Sequence, residues 1–471
     1  MKKPLLLLLF VLVALPGWAQ VKVAAHSTMS ETAIKQLKHQ YPPAIGPLEQ
    51  ATSKDMAYQK AQGDFWIDFN RFLHKANFKL DQQAVLFIDG YFQADGQADV
   101  VLYRVSSDKL VTVVEEQQLA TLLANFLSKR KLSVNSTPGS SLFRLSTGYN
   151  LPSNKQRVRK VAPGEINDLP AAVQTNRPDT VRKIDFSGMN LDTIPKVLYQ
   201  FTNVEEIDLG ANSLTSLPAA LFSLVKLKRL NLSTNRLSED SLHFSRNKTV
   251  ASVNLQRNLL TRVPPSICYN RRLESLWLGN NDLTSLDIKT LRRLRRLTDL
   301  NLYNAGLTTL PKTIGRLKRV KVLDLYYNKI TELPRQLGKM KRLEQLAVAY
   351  NDLKELPVSL AKLRRLQKLY AHHNRISQLP DSFAKLKNLQ TLDIGYNWFS
   401  VVPPVLASLP ALEELDLNNN NLQELPASLG ALKGLKKLYL RSNPLTRNDA
   451  NAGPYAPIIR QLEANQTEVF Y

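Results

Sequence analysis

The sequence predicts an α/β solenoid, a horseshoe with one parallel sheet along its concave side, preceded by a small α+β domain. Three observations lead to this fold class. From Val181 onward the 471-residue chain repeats with a period of 23 residues, each unit contains a short run of alternating apolar residues, and an asparagine recurs at one place in most units. A chain of this length exceeds a single compact core, so a repeat array or two units are expected.

Each 23-residue unit is expected to form one strand and one crossover. In the unit that begins at Val320, Leu323 and Leu325 alternate with polar residues, which turns one face of a strand inward. Neither the strand nor the crossover can bury its apolar side alone, so stability comes from neighbours stacked about 4.8 Å apart. Because strands pack more closely than crossovers, the stack should bend with the strands on its concave face. Residues 181–449 contain twelve units, which begin at Val181, Val204, Leu227, Val250, Leu273, Leu297, Val320, Leu343, Leu366, Leu389, Leu412 and Leu435.

Asparagine at the ninth position of a unit is expected to hold the turn that follows the strand. The backbone groups of that turn lack ladder partners, and a side-chain amide supplies both donors and an acceptor. Met189 and Ala305 replace it in two units, and the sequence does not explain the second exception. The other ten units keep it as Asn212, Asn235, Asn258, Asn281, Asn328, Asn351, Asn374, Asn397, Asn420 and Asn443.

The repeated pattern, LxxLxLxxNxLxxLPxxφxxLxx, resembles the leucine-rich repeat in the LP-containing subtype found in scaffold proteins of the Ras-suppressor kind. The resemblance covers residues 181–449 and implies a horseshoe-shaped scaffold. Both ends of such a solenoid need a cover. We therefore expect a linker and a half-repeat cap at residues 151–180, and a C-terminal cap at 450–471 with Ile458, Ile459 and Leu462 at helical spacing.

Residues 20–150 predict a small α+β domain with the element order α-β-β-α-β. The expected elements are a helix over residues 55–76, a hairpin of strands at 84–92 and 100–105, a helix over 115–129 and a strand near 142–145. Phe65, Phe69, Phe72 and Leu73 lie towards one side of the first helix. In element order and hairpin this domain is similar to the C-terminal domain of bacterial TonB-type energy transducers, and no functional residue is carried over from that similarity.

The first residues have the layout of a signal peptide. Lys2 and Lys3 precede an apolar stretch over residues 5–15, and Ala19 marks the expected cleavage site of a 1–19 signal. The apolar stretch is about half of the roughly 20 residues that a membrane-spanning helix needs. Cys268 is the only cysteine, so the chain can form no intramolecular disulfide and lacks the cysteine-rich caps typical of extracellular animal repeats. We expect a bacterial protein that is periplasmic, on the outer surface or secreted, without a transmembrane segment after cleavage.

The formal net charge of +23, or +21 once Lys2 and Lys3 are removed, predicts an affinity for anions. The expected location disfavours nucleic acid and favours an anionic polysaccharide, a phospholipid surface or an acidic protein. Residues 287–365 alone contain 19 Lys and Arg against 7 Asp and Glu, which gives +12. Five consecutive units end in a basic column, a candidate anion-binding edge or a solvated flank: Arg272, Arg296, Arg319, Arg342 and Arg365.

Aromatic residues recur at one place in neighbouring units and form the second candidate binding surface. Tyr327, Tyr350, His373 and Tyr396 follow one another at intervals of 23, each directly before a ladder asparagine. The same stripe includes five further residues on the strand face or its exit: Trp277, Tyr303, Tyr326, Tyr370 and Trp398. Exposed aromatics in register indicate a protein interface or a sugar-stacking platform, and the alternative is that they only stabilise adjacent strands.

Catalytic and cofactor motifs are absent from the sequence, which contains no HExxH, GxSxG, P-loop, CxxC or GxGxxG. Neighbouring strand residues point in opposite directions, so we do not expect His372 and His373 to bind a metal together. We predict no catalytic residue, metal or cofactor, and a binding scaffold that holds a protein or glycan on its concave face. Two other hypotheses stay open: an envelope enzyme with its active site in the N-terminal domain, and a structural envelope protein without a discrete ligand.

Overall fold

The computed structural model describes residues 21–41, 65, 68–69, 72–73, 76–80, 84–93, 97–107, 111–131, 142–151, 162–445, 453 and 455–470. Contacts within the chain divide it into two compact units, residues 1–160 and 161–471. Within the described ranges no helix has the length and apolar character needed to cross a bilayer. The predicted signal peptide lies outside these ranges.

Among the described residues of the first unit, the elements are β1 (Lys22–Ala25), a 3₁₀ turn (His26–Thr28), α1 (Glu31–Gln40), β2 (Ala84–Gln93), β3 (Ala98–Ser107), α2 (Val113–Ser128) and β4 (Leu142–Asn150). The four strands form one sheet in the order β1-β3-β2-β4. Strand β2 pairs antiparallel with β3 and with β4, and β1 lies parallel to β3. The predicted hairpin, second helix and last strand are confirmed, whereas β1 and α1 were not predicted. With four residues, β1 is too short to show a periodic pattern.

Helix α2 begins at a capping box and covers the core of the first unit. The Thr112 hydroxyl accepts from the Glu115 N–H, and the Glu115 carboxylate accepts from the Thr112 N–H at 2.8 Å. Phe126 of this helix has its ring centroid 5.1 Å from those of Phe65 and Phe69, which are both buried. The predicted helix over residues 55–76 falls mostly outside the described residues, but its expected inward side chains do lie in this core.

The second unit contains a fourteen-stranded parallel sheet in which the spatial order of the strands is their order in the chain. This arrangement confirms the predicted solenoid, because each 23-residue unit adds one strand beside the last. The strands are β5 (Glu165–Ile166), β6 (Lys183–Asp185), β7 (Glu206–Asp208), β8 (Arg229–Asn231), β9 (Ser252–Asn254), β10 (Ser275–Trp277), β11 (Asp299–Asn301), β12 (Val322–Asp324), β13 (Gln345–Ala347), β14 (Lys368–Tyr370), β15 (Thr391–Asp393), β16 (Glu414–Asp416), β17 (Lys437–Tyr439) and β18 (Glu468–Phe470).

Most crossovers of the second unit contain one 3₁₀ helix, which usually begins directly after a proline, as Arg335–Lys339 does after Pro334. In one repeat Asp287 replaces the proline and caps a turn of α-helix, accepting from the N–H groups of Lys289 and Thr290. The 3₁₀ helices are Pro178–Thr180, Lys196–Gln200, Ala219–Ser223, Glu239–Ser241, Pro265–Tyr269, Lys312–Arg316, Arg335–Lys339, Val358–Lys362, Asp381–Lys385, Pro404–Ser408 and Ala427–Ala431, and the α-helices are α3 (Leu169–Gln174), α4 (Ile288–Leu291) and α5 (Ala456–Ala464).

Additional elements close both ends of the sheet. Strand β5 pairs with β6 at one end, where Asp168 caps α3 by accepting from the Ala171 N–H at 2.6 Å. At the other end β18 pairs with β17, and α5 buries Ile459 and Leu462 in the continuous apolar core of the solenoid.

The asparagine ladder has the predicted geometry. The Asn351 Nδ2 donates to the Leu325 carbonyl of the preceding repeat at 3.0 Å, and its Oδ1 accepts from the Ile330 N–H at 3.0 Å. At the exception, the Leu283 N–H donates to the backbone carbonyl of Ala305 at 2.8 Å instead of to an asparagine side chain. Gly306, with φ of +76°, supplies the left-handed backbone next to this contact. A backbone acceptor thus replaces the missing amide oxygen.

Candidate binding surface

The concave face is formed by the third, fifth and seventh residues of each repeat, because the fourth and sixth residues point into the core. In β12, Leu323 is fully buried while its neighbours Val322 and Asp324 stay partly exposed. Strand alternation therefore decides which side chains a partner can reach.

Asp or Asn occupies the fifth position in eight of the twelve repeats, and in each the side chain accepts from the N–H of the seventh residue. The Asp324 Oδ1, for example, accepts from the Tyr326 N–H at 3.0 Å, while its Oδ2 accepts from Asn301 Nδ2 at 2.7 Å. These bonds complete the hydrogen bonding where the short strand ends. The eight residues are Asp185, Asp208, Asn231, Asn254, Asn301, Asp324, Asp393 and Asp416.

The concave face is acidic although the chain is strongly basic. In the six repeats from Leu297 to Leu412, its third, fifth and seventh positions contain five carboxylates and one lysine, a net charge of −4: Asp299, Asp324, Asp393, Glu414 and Asp416 against Lys368. This surface was not predicted, because the net charge of successive segments does not separate the residues that face the concave side. The signal was present, since the column becomes visible when the repeats are aligned by position.

The predicted aromatic residues at the eighth position form one stack across four repeats. The ring centroids lie 4.0 Å apart for Tyr327 and Tyr350, 4.0 Å for Tyr350 and His373, and 3.9 Å for His373 and Tyr396. The interplanar angles are 25°, 16° and 15°. The inner rings thus cover each other's faces, which gives the stack a structural role and leaves the ring edges towards solvent.

A second aromatic group lies on the concave face beside this stack. Ala347 and Ala349 of one repeat are small and buried, which leaves room above them for larger side chains from both neighbours. Tyr326 reaches across this gap, with its ring centroid 6.4 Å from Tyr370 and 5.3 Å from His372. All three rings are partly exposed. We call Tyr326, Tyr370 and His372 the bridging group.

The other predicted aromatic residues occupy separate places. Tyr303 extends the stack, with its ring at 70° and 5.2 Å from that of Tyr327. Trp277 is 41% exposed and donates from Nε1 to the Asp299 carboxylate at 3.0 Å. Trp398 is 60% exposed but follows the ladder residue Asn397, so it lies beyond the turn that ends the strand and not on the concave face.

Burial shifts the pKa values of several ionisable side chains in and around the bridging group. Burial, followed by the neighbouring His372, lowers the pKa of His373 to about 4, so this ring is neutral at pH 7. Burial, followed by repulsion from Asp393, raises the pKa of Asp416 to about 6. The Asp393 Oδ2 also lies 2.6 Å from His372 Nδ1. Burial likewise raises the phenol pKa values of Tyr326 and Tyr327, which therefore remain neutral.

The basic column lies at the opposite edge of the sheet from the aromatic stack, because its arginines precede the strand and the stacked rings follow it. All five arginines are exposed, and Arg296 lies 3.7 Å from the Glu274 carboxylate. Two of the residues one place earlier have a structural role: Lys341 Nζ donates to the Lys362 carbonyl at 3.0 Å, and Arg364 Nη1 donates to the Lys385 carbonyl at 2.6 Å. The two predicted surfaces are thus separate and are not parts of one site.

The described residues form neither a metal site nor a reactive thiol site. No group of three His, Cys, Asp or Glu side chains is placed to hold a metal ion in those residues. Cys268 is buried, and its sulfur lies 3.6 Å from Arg293 Nη1.

Comparison with known proteins identifies the repeats. The leucine-rich repeat region family matches residues 249–370 and 346–452, and a second leucine-rich repeat family matches 179–239. No curated protein sequence matches the chain.

Solved structures give the same result. A leucine-rich repeat protein of Leptospira interrogans is 31% identical, with 62% of this chain and 79% of that chain covered and a TM-score of 0.53. An internalin of Listeria monocytogenes (22% identity, 60% and 84% covered, TM-score 0.49) and a receptor kinase ectodomain of Arabidopsis thaliana (25%, 63% and 42%, TM-score 0.39) are more distant and carry no functional weight. The chain therefore belongs to the leucine-rich repeat family.

Proposed function

We propose that this protein is an extracytoplasmic, non-catalytic scaffold that binds a protein partner on the concave face of the repeats from Leu297 to Leu389. Export rests on the signal-peptide layout of residues 1–19. A sheet built from one strand per repeat offers a broad preformed surface, which loses little conformational entropy on binding.

The observation that carries the proposal is the continuity of partly exposed aromatic rings across five repeats. Ring contacts lead from Tyr303 through the stack to Tyr396, and the bridging group joins it through contacts between Tyr326 and Tyr327 and between His372 and Tyr350. Aromatic side chains held rigidly by their neighbours supply large contact area, which is typical of the centre of protein interfaces.

A protein suits this surface better than a glycan, although both fit the sequence pattern. A sugar ring stacks on an open aromatic face, and in the stack the faces of Tyr350 and His373 are covered by their neighbours. The carboxylates around the rings favour a neutral or basic segment of the partner. We assign the anion affinity of the chain to the basic flank at the opposite edge of the sheet.

The chain from Gln20 onward, immobilised as bait against an envelope extract of its native host, tests the proposal. The partner should be recovered by the unchanged protein and lost with the double variant Tyr326→Ala, Tyr370→Ala. Lys354→Leu, an exposed substitution outside the concave face, is the control and should recover the same partner. Recovery of identical proteins by the bait and the double variant would refute binding at this face.

A further inference from the structure

The basic flank is the side of the solenoid that carries the basic column and the cations of the crossovers beside it. It contains a cavity of about 610 Å³ between the 3₁₀ helices Val358–Lys362 and Asp381–Lys385. Five of the side chains around it are cationic: Lys341, Lys362, Arg364, Arg365 and Lys385. None of the described residues that line the cavity is acidic. Its size falls within the range of small-molecule sites.

Two backbone contacts hold cations at the walls of this cavity. Lys341 Nζ donates to the Lys362 carbonyl at 3.0 Å, and Arg364 Nη1 donates to the Lys385 carbonyl at 2.6 Å. Both acceptors are the last residues of 3₁₀ helices, where carbonyl groups lack partners within the helix. Each contact uses one donor, so the remaining N–H groups of Arg364 and Lys341 are available to a ligand.

Among the described residues, none of the five cations forms an ion pair with a carboxylate, in contrast to other bases of the solenoid. Lys321 lies 3.0 Å from the Glu344 carboxylate, and Lys436 lies 2.8 Å from that of Glu413. Burial, and then the charges of Lys362 and Arg364, lower the pKa of Lys341. A bound anion would relieve the mutual repulsion of these cations.

We propose that this cavity binds a phosphoryl group, either of a lipid headgroup or of a soluble phosphorylated molecule. Lysine and arginine together supply the point charge and the planar donors that phosphate oxygens accept. Val358, 67% exposed at the rim, provides an apolar contact for the rest of the ligand. The site depends on the proposed extracytoplasmic location for its source of ligand but not on the concave face.

A second cavity of the same kind supports this assignment. It measures about 220 Å³ and lies between the repeats that begin at Leu273 and Leu297. Five cations line it, and no carboxylate stands among its described lining residues: Arg292, Arg295, Arg316, Lys318 and Arg319. Clusters of cations without acids thus recur along the basic flank. Together they raise the positive electrostatic potential that attracts an anion.

The test is calorimetric titration of the chain from Gln20 onward with inorganic phosphate, and flotation with vesicles of phosphatidylcholine with or without phosphatidic acid. The triple variant Lys362→Gln, Arg365→Gln, Lys385→Gln removes charge without disturbing the two backbone contacts of Lys341 and Arg364. It should weaken phosphate affinity about tenfold or more, since charge-assisted hydrogen bonds are lost. Vesicle binding that requires phosphatidic acid identifies a lipid source, and binding of free phosphate alone identifies a soluble one.

The control is Lys226→Gln, Arg246→Gln, Lys248→Gln, which removes the same charge from exposed residues at the corresponding crossover ends of earlier repeats. It should change affinity less than twofold, and melting curves should show both variants folded. Equal weakening by the two triple variants, or no binding to either probe, would overturn the proposal. The concave variant Tyr326→Ala, Tyr370→Ala should still bind phosphate, so failure of this site and failure of the proposed function are distinguishable.

Discussion

The rings of Tyr327 and Tyr350 stack with centroids 4.0 Å apart, although both residues have a left-handed backbone, with φ of 56° and 52°. The eighth position is left-handed in all twelve described repeats, and tyrosine is poorly suited to it. A favourable contact between repeats offsets that cost. The stack therefore stabilises the solenoid in addition to presenting ring edges to solvent.

Replacing Tyr350 with alanine should destabilise the protein by about 1–3 kcal/mol, because two stacked contacts worth roughly 0.5–1.5 kcal/mol each are lost. Alanine retains the Cβ and hence the same backbone cost. Urea denaturation measures the change, and Tyr350→Phe, which keeps the ring but loses the hydrogen bond to Tyr327, should destabilise less than Tyr350→Ala. Thr234→Ala, at the eighth position of a repeat outside the stack, is the control. Equal stability of Tyr350→Ala and Thr234→Ala would mean that the stack contributes nothing.

Replacing Asn351 with leucine should destabilise the protein by about 1–3 kcal/mol, because buried backbone groups such as the Leu325 carbonyl and the Ile330 N–H lose partners. The exposed substitution Lys354→Leu in the same repeat should stay within about 0.5 kcal/mol of the unchanged protein. Thermal melts compare the two. A melt of the Asn351 variant that matches the control would contradict the ladder argument.

Replacing His373 with phenylalanine should make the protein less sensitive to acid. The folded pKa of about 4 lies below the unfolded value near 6.5, so the unfolded chain binds more protons and stability falls as the pH drops through this window. Asp416 has the opposite effect on stability, because its raised folded pKa favours the folded state as the pH falls. The stability of the variant must therefore be compared with that of the unchanged protein at each pH. Urea titrations at pH 7.5 and pH 4.5 should show a variant advantage that grows on acidification. A constant difference would show that His373 titrates normally.

The protein isolated from its native host should begin at Gln20 or within a few residues of it. Removal of the signal by cleavage after Ala19 is the physical reason, and intact-mass spectrometry of the envelope fraction measures it. Intact Met1 in a cytoplasmic fraction would reverse the proposed location and the choice of partners based on it.

The repeat period predicted the solenoid, the ladder and the positions of the stacked rings, because each depends on residues at fixed spacing. The role of Ala305 was not predictable, since a backbone carbonyl replaces a side chain there and leaves no trace beyond the adjacent Gly306. The meeting of Tyr326 with His372 above Ala349 also depends on packing between alternate repeats. The place of Trp398 could be read from the period, since it follows the ladder residue Asn397 and therefore lies beyond the turn.

Titration of the recovered partner against variants of the concave face and of the basic column, at low and high salt, tests the central claim most directly. Tyr326→Ala, Tyr370→Ala should weaken binding about tenfold or more at both salt concentrations, because buried aromatic contacts resist screening. The charge reversals Arg319→Glu, Arg342→Glu and Arg365→Glu should have little effect at 1 M salt, where the Debye length falls to about 3 Å. Unchanged affinity of the tyrosine variant, with loss of binding in the arginine variant alone, would contradict recognition by the concave face.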